Sequence, residues 1–330
     1  MEGYRTTALT EDELKRFEDG LAKCMTCHEW CDMEGYEPLR EYECQSCGEN
    51  VFMPMRITEF WLYDVTGEGG MGRVYMAQKY DDPKLYAIKL SDYTDECDFR
   101  FQSLLYEGDV VMSFEHPHIA TAYRFGYKSG KAFLLMDYVP GYTLEQIAKG
   151  FEFSEVELYS WMKQLVDALR YMATTGFIYR DLKPQNVIVR GEKLTLVDFG
   201  LAIHKDEQEI DDDNLIGSPS YIPPERIKGI VEDERSDMYA LGMVFYYVVN
   251  GQNYFDGPNE EIVEGHMHPY RYPIQELNDY LPEGLCILID NLIAHEMEDR
   301  YQTYDELYND ICFLYDSAVE AEQEEVEVEA

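Results

Sequence analysis

From Tyr179 to Gly200 the chain reads YRDLKPQNVIVRGEKLTLVDFG. The central VIVRGEKLTLV reads as strand, turn and strand, so the segment is a hairpin bracketed by two short polar stretches. Asp181, Lys183 and Asn186 precede the hairpin and Asp198 follows it. A single Asp or Asn in a loop is ordinarily a cap or a turn former. A group of such side chains around one hairpin asks for a further explanation.

A second stretch, GEGGMGRVY, sets Gly67, Gly69 and Gly72 in the order G-x-G-x-x-G. It reads as a dinucleotide turn, another kind of phosphate clamp, or a flexible loop. A dinucleotide turn opens a helix. Here VYMA and YAIKL read as strands around the turn Asp81-Asp82-Pro83, so the glycines belong to a hairpin and the dinucleotide reading is disfavoured. Lys89 lies inside the apolar strand YAIKL, where an unpaired ammonium is costly.

A chain of 330 residues holds one large domain and a small one. Its net charge of -39 disfavours nucleic acid and anionic membranes as partners, while 28 tyrosines and 15 phenylalanines exclude full disorder. No apolar run reaches the ~18 residues of a membrane span, and no basic-led secretory signal is present, so the expected location is cytoplasmic. A helix capped by Thr10 and Glu13 is expected first. Short strands follow from Phe60 to Asp137, interrupted by a helix near Phe99–Ser113. Beyond Pro140-Gly141 apolar helices are expected at Glu155–Thr174, at about Arg235–Asn250, at 283–295 and at 303–317.

In order, Gly67/Gly69/Gly72, Lys89, Glu107, Asp181, Lys183, Asn186, Asp198-Phe199-Gly200, GSPSYIPPE, Asp237 and Arg300 resemble the eukaryotic-like serine/threonine protein kinase family, in its bacterial form, over residues 60–316. The resemblance implies an α+β, bilobal protein-kinase fold. A small antiparallel-sheet N-lobe (59–139) and a large helical C-lobe (140–317) would follow a helix and zinc-ribbon-like module (1–58) and precede an acidic, disordered tail (318–330). It also implies ATP- and Mg²⁺-dependent transfer of the γ-phosphoryl group to Ser/Thr hydroxyls of protein substrates; the net charge is read as serving solubility or a salty environment, with attraction of basic protein partners the alternative.

The resemblance assigns roles residue by residue. Backbone N–H groups of the glycine hairpin approach the ATP phosphates. Lys89 neutralises the α- and β-phosphates, with Glu107 rather than Asp109 as its partner. Val74 and Ala87 cover the adenine from above and Ile188 from below. Met136 is the gatekeeper, and Asp137 to Val139 form the hinge that offers backbone hydrogen bonds. Asp181 is the general base, Lys183 steadies the moving phosphoryl group, and Asn186 and Asp198 are the Mg²⁺ ligands. Tyr179 replaces the family's histidine and is expected to pack on Phe199. Val111 and Ala122 would complete an internal column of side chains, loosely packed beside the small Ala122 or filled by Met112. Ser218 would touch Asp181 and Lys183, Glu225 and Arg300 would form a buried pair, and Asp237 would hold the catalytic-loop backbone. The DLKPxN form points to serine and threonine as acceptors.

Two pairs, Cys24-x2-Cys27 and Cys44-x2-Cys47, have the spacing of a zinc ribbon, with Gly48 closing the second knuckle. Zn²⁺ is the expected metal and iron the other candidate. Cys31 and His28 are spare donors, the first expected buried and the second exposed. The module serves either as a structural staple or in regulation and partner docking. A pseudokinase scaffold binding partners through it is the alternative function. Finally, Arg180 is the position that binds an activation-segment phosphate in many relatives. Because the segment Leu201 to Pro224 has no threonine, Asp211, Asp212 or Asp213 is expected to hold Arg180 instead, against a mobile acidic loop or phosphorylation of Ser220.

Overall fold

Alternation along the strands builds a six-stranded antiparallel sheet in the order Met55–Ile57, Phe60–Gly69, Gly72–Lys79, Asp82–Leu90, Lys131–Asp137 and Ala122–Lys128. Leu62, Tyr75, Ala77, Tyr86, Ile88, Leu90, Phe133 and Leu135 pack on one face. Their neighbours in sequence, Trp61, Tyr63 and Met76, pack on the other, as a side-chain period of two requires. The computed structural model describes residues 8–69, 72–91, 95, 97–208 and 217–329. The chain divides into two units, residues 1–113 with 121–140 and residues 114–120 with 141–330.

In the first unit the expected capping box forms: Thr10 and Glu13 exchange hydrogen bonds at the start of the helix Glu11–Glu18. Leu14 and Phe17 of that helix pack on Trp61, Tyr63 and Met76 of the sheet, and Phe17 meets the Trp61 ring edge-on at 5.6 Å. Leu39 and Phe52 join the opposite face, and Met55–Ile57 is itself an edge strand of the sheet. The expected boundary at residue 58 is therefore not a break in packing. Apolar residues on both sides of it share one core, and burial of each large side chain contributes about 1.5–3 kcal/mol to joining them.

Two three-residue hairpins carry the cysteines: Leu21–Lys23 with Trp30–Asp32, and Glu41–Glu43 with Asn50–Phe52. Beneath them Ala22, Val51 and Met53 are buried with Cys24 and Cys44, and Met33 and Tyr42 are partly buried against them, a small apolar cluster for a segment that would have to fold alone.

The second unit is mainly helical. Helix Glu155–Thr174 begins at a Ser154/Glu157 capping box and buries Leu158, Met162, Leu165, Leu169 and Met172. Helix Glu234–Asn250 is buried almost all round and stops at Gly251, whose φ of 70° suits glycine. The hairpin of the opening motif forms as read, with Val187 opposite Leu196 and Arg190 opposite Lys193. The tail departs from expectation. Helix Tyr304–Glu329 runs through most of the stretch expected to be disordered, because Ala, Glu and Gln favour helix and no Gly or Pro interrupts them. No helix among the described residues is long and apolar enough to cross a membrane.

Arg300 ties this unit together. Its guanidinium donates to Glu225 Oε1 at 2.8 Å and Oε2 at 2.9 Å, and to the carbonyls of Ala294, Arg235 and His295. Burial opposes ionisation of Glu225, but Arg300 and Ser236 hold its carboxyl below the usual range. Arg300→Met is expected to cost about 3–5 kcal/mol in denaturant unfolding, because it strands a buried carboxylate. Adding Glu225→Gln should recover part of the loss. Equal stability of the single variant and the parent would show that the pair is dispensable.

Candidate active site

Lys89 lies between Ile88 and Leu90, so its side chain leaves the sheet on the opposite face from theirs. Helix Phe99–Met112 presents Glu107 to it, and Lys89 Nζ donates to the two carboxylate oxygens at 3.0 and 2.8 Å. Both side chains are almost fully buried, at 5% and 1% exposure. Asp109 on the same helix is exposed. Val74 pairs with Lys89, and Ala87 pairs with both Met76 and Met136, so Val74, Ala87, Lys89 and Met136 share one face of the sheet.

Beside that face runs the glycine hairpin, with Gly67 opposite Val74 and Gly69 opposite Gly72. Gly72 has φ 148°, and a Cβ there would collide with the Leu90 carbonyl, so no other residue fits. Asp137 takes a hydrogen bond from Tyr123 at 2.6 Å and an ion pair from Lys84 at 2.8 Å, while its N–H donates to Thr121. Its side chain is thus engaged within the sheet, and Val139 follows half-buried. Val111 is buried, but Met112 is 45% exposed and does not fill space beside Ala122.

In the second unit Asp181 gathers the other residues of the opening motif. Its Oδ2 accepts from Lys183 Nζ at 2.7 Å and Asn186 Nδ2 at 3.0 Å, and its Oδ1 lies 3.4 Å from the Ser218 hydroxyl. Asn186 also donates to the Asp181 carbonyl at 2.9 Å. Asp198 sits in a left-handed backbone conformation (φ 64°) and accepts from the Gly200 N–H. Ile188 is half-buried on the hairpin, opposite Thr195.

The loop beneath Asp181 is pinned from several sides. Asp237 accepts the Tyr179 and Arg180 N–H groups at 2.7 and 2.9 Å, as expected. Burial pushes its carboxyl up to about 6 against those two hydrogen bonds. The Tyr179 ring meets Phe199 edge-on at 5.5 Å. Its hydroxyl also donates to the Val197 carbonyl at 2.8 Å, tying the loop to the residue before Asp198. The ring contact was expected from the sequence and the hydroxyl bond was not.

The protein kinase domain family matches residues 61–311, most of the chain. The chain belongs to the protein kinase family. Among relatives of this kinase are the serine/threonine-protein kinase PrkC of Bacillus subtilis, 29% identical over 78% of this chain, and a probable serine/threonine-protein kinase of Clostridium perfringens, 32% identical over 76%. A probable serine/threonine-protein kinase PknB of Lactococcus lactis is 29% identical over 74%. This kinase spans only 41%, 37% and 40% of the lengths of those three relatives.

The kinase carries a second cluster. The sulfurs of Cys24, Cys27, Cys44 and Cys47 all lie within 4.8 Å of one another, with Cys24–Cys47 at 3.6 Å and Cys27–Cys44 at 3.7 Å. A tetrahedron with metal–sulfur bonds of about 2.3 Å has edges of about 3.8 Å, so the four thiols fit Zn²⁺. The two knuckles repeat one hydrogen-bond pattern. Cys24 N–H donates to Glu29 and His28 N–H to Cys24; likewise Cys44 N–H donates to Glu49 and Gly48 N–H to Cys44. His28 therefore occupies the place of Gly48, with φ 63° against 81°. That left-handed position leaves its ring exposed, as expected, and outside the ligand set. Backbone N–H groups of Ser46 and Cys47 pull the Cys44 thiol down, whereas burial and the neighbouring thiols push Cys47 up; a metal ion would favour the thiolate at all four. Cys31 is half-buried, with its sulfur 3.9 Å from that of Cys44.

Asp211, Asp212 and Asp213, expected to hold Arg180, lie outside the described residues. Among the described residues the guanidinium of Arg180 donates to Glu232, at 2.8 Å from Nε and 2.7 Å from Nη2. No local pattern in GIVEDERSD signals this pairing, because the two residues are far apart in the chain.

Proposed function

We propose that this kinase transfers the γ-phosphoryl group of ATP to serine or threonine hydroxyls of proteins, with Mg²⁺ as its cofactor. The arrangement around Asp181 carries the reading. A carboxylate bonded to a lysine and an amide, on a loop pinned by a buried aspartate, is built to orient a hydroxyl and receive its proton. Asn186 and Asp198 would hold Mg²⁺, which supplies neutralisation of phosphate charge. Lys89, kept in place by Glu107, would meet the α- and β-phosphates, and Lys183 the moving group. Gly67, Gly69 and Gly72 would admit the phosphates, while Val74, Ala87, Met136 and Ile188 would surround the adenine. Asp137 and Val139 would offer it backbone groups. Purified kinase given labelled ATP, Mg²⁺ and a basic protein should label serine or threonine and not tyrosine. A reducing, cytoplasmic setting suits the eight free thiols.

The cysteine module we read as a Zn²⁺-bound staple. Ligation would stabilise a segment with almost no core of its own, and through Trp30, Phe17 and Trp61 that stability reaches the sheet. The kinase should contain about one zinc per chain. Cys24→Ser should lose the metal and lower the melting temperature of the sheet-bearing unit, whereas Cys31→Ser should keep the metal. Equal metal loss in both variants, measured by elemental analysis, would mean a different ligand set.

A further inference from the structure

Arg180 immediately precedes Asp181 and has φ 68°, a conformation a residue with a side chain rarely adopts. Something must hold it there. Its N–H is bound by Asp237 and its carbonyl accepts from Arg226 Nη1 at 2.7 Å. Its guanidinium is bound by Glu232, whose side chain is only 2% exposed. The same carboxylate accepts from Arg226 Nε at 3.0 Å to each oxygen and from Nη2 at 2.7 Å. One carboxylate therefore bridges two guanidiniums, and the second of these returns to the Arg180 backbone. The ring closes on the residue that aims Asp181.

Glu232 also holds the activation segment at one point. The backbone of Glu232 exchanges hydrogen bonds with the Gln208 amide, N–H to Oε1 at 2.9 Å and Nε2 to O at 2.8 Å. Gly217 has φ 128°, and a Cβ there would sit 3.1 Å from Arg226 Nη1. Gln208 thus ties the described segment before residue 209 to the Glu232 backbone, and Gly217, after residue 216, passes close to Arg226.

We propose that Glu232, acting through Arg180 and Arg226, is a positioning residue for Asp181, and that this built-in carboxylate makes turnover independent of a phosphate on the activation segment. The proposal rests on the kinase reading above. It follows from where the charges lie. Among the described residues Glu232 is the carboxylate bonded to the Arg180 guanidinium, and charge-assisted bonds to a buried carboxylate fix orientation better than water does.

The test compares phosphatase-treated wild type with Glu232→Gln and Glu232→Ala, using initial rates on a peptide before autophosphorylation accumulates. Treated wild type should keep most of its rate. Glu232→Gln should lower kcat about 10- to 100-fold, as expected for a misaimed general base, with KM for ATP unchanged. In Glu232→Ala two guanidiniums face a gap of carboxylate size, so added formate should restore kcat about fivefold or more, and should do nothing for Asp181→Asn. The double variant Glu232→Gln/Arg226→Gln removes one charge of each sign, so the net charge of the cluster is unchanged while Arg180 still loses its carboxylate. It keeps the test decisive if the single variants unfold, and it should show the same loss of kcat. A merely structural Glu232 would instead lower the melting temperature while folded variants kept wild-type kcat and ignored formate, and that overturns the proposal. Loss of rate on phosphatase treatment of wild type also overturns it. If wild type itself transfers no phosphate, the kinase reading falls and this proposal falls with it; wild-type activity with indifferent Glu232 variants removes this proposal alone.

Discussion

Replacing Lys89 by methionine is expected to lower phosphoryl transfer about 10²- to 10³-fold, the size of effect seen when one preorganised electrostatic donor is removed. Methionine matches the length of the lysine stem but carries no charge, so the variant loses the ammonium proposed to meet the phosphates. It also leaves Glu107 buried opposite an apolar group, at a site where the parent pair meets at 2.8 Å. Some stability should therefore be lost as well. Adding Glu107→Gln separates the two effects: stability should recover and rate should not. Near-normal turnover of Lys89→Met at saturating MgATP would show that Lys89 is not the phosphate-binding lysine.

What could be read from the sequence was what short spacing encodes. Lys89 stood out because a charge inside an apolar strand needs a partner, and the next element, a helix, offered Glu107 18 residues on. The hairpin 187–196 and the paired cysteine knuckles were legible because turn chemistry is local. The ring of Tyr179 could be placed on Phe199, but its bond to the Val197 carbonyl depends on a register that no pattern states. Arg180 could be named as a cation in need of an anion. The nearest acidic run lies outside the described residues, and Glu232, a partner the fold does bring to Arg180, lies beyond the segment where no local pattern points to it.

The same limit applies to the amino-terminal region. Leu14 and Phe17 are apolar residues on one face of a short helix, and nothing in the sequence says that this face meets Trp61 and Tyr63 rather than the cysteine hairpins. A domain limit drawn from composition at residue 58 therefore divided a packed unit. Ala, Glu and Gln in the tail were read by charge as disordered. Their intrinsic preference for helix prevailed in Tyr304–Glu329.

Asp181→Asn is the second change expected to act strongly. Asparagine keeps the size of the side chain, so the Asp237 bonds to Tyr179 and Arg180 should persist and the loop should stay in place. The variant cannot accept the proton of the acceptor hydroxyl, and the ion pair to Lys183 at 2.7 Å is lost. A loss of about 10²- to 10⁴-fold in kcat is expected, with ATP affinity little changed, because general-base catalysis has that magnitude and Asp181 is not among the nucleotide ligands. The most direct measurement is the initial rate of labelled phosphate transfer from MgATP to serine and threonine of a protein substrate, in wild type and Asp181→Asn side by side. Labelling by wild type and its near-absence in a folded, ATP-binding Asp181→Asn is the predicted result; equal labelling by the two, or none by either, would contradict the account.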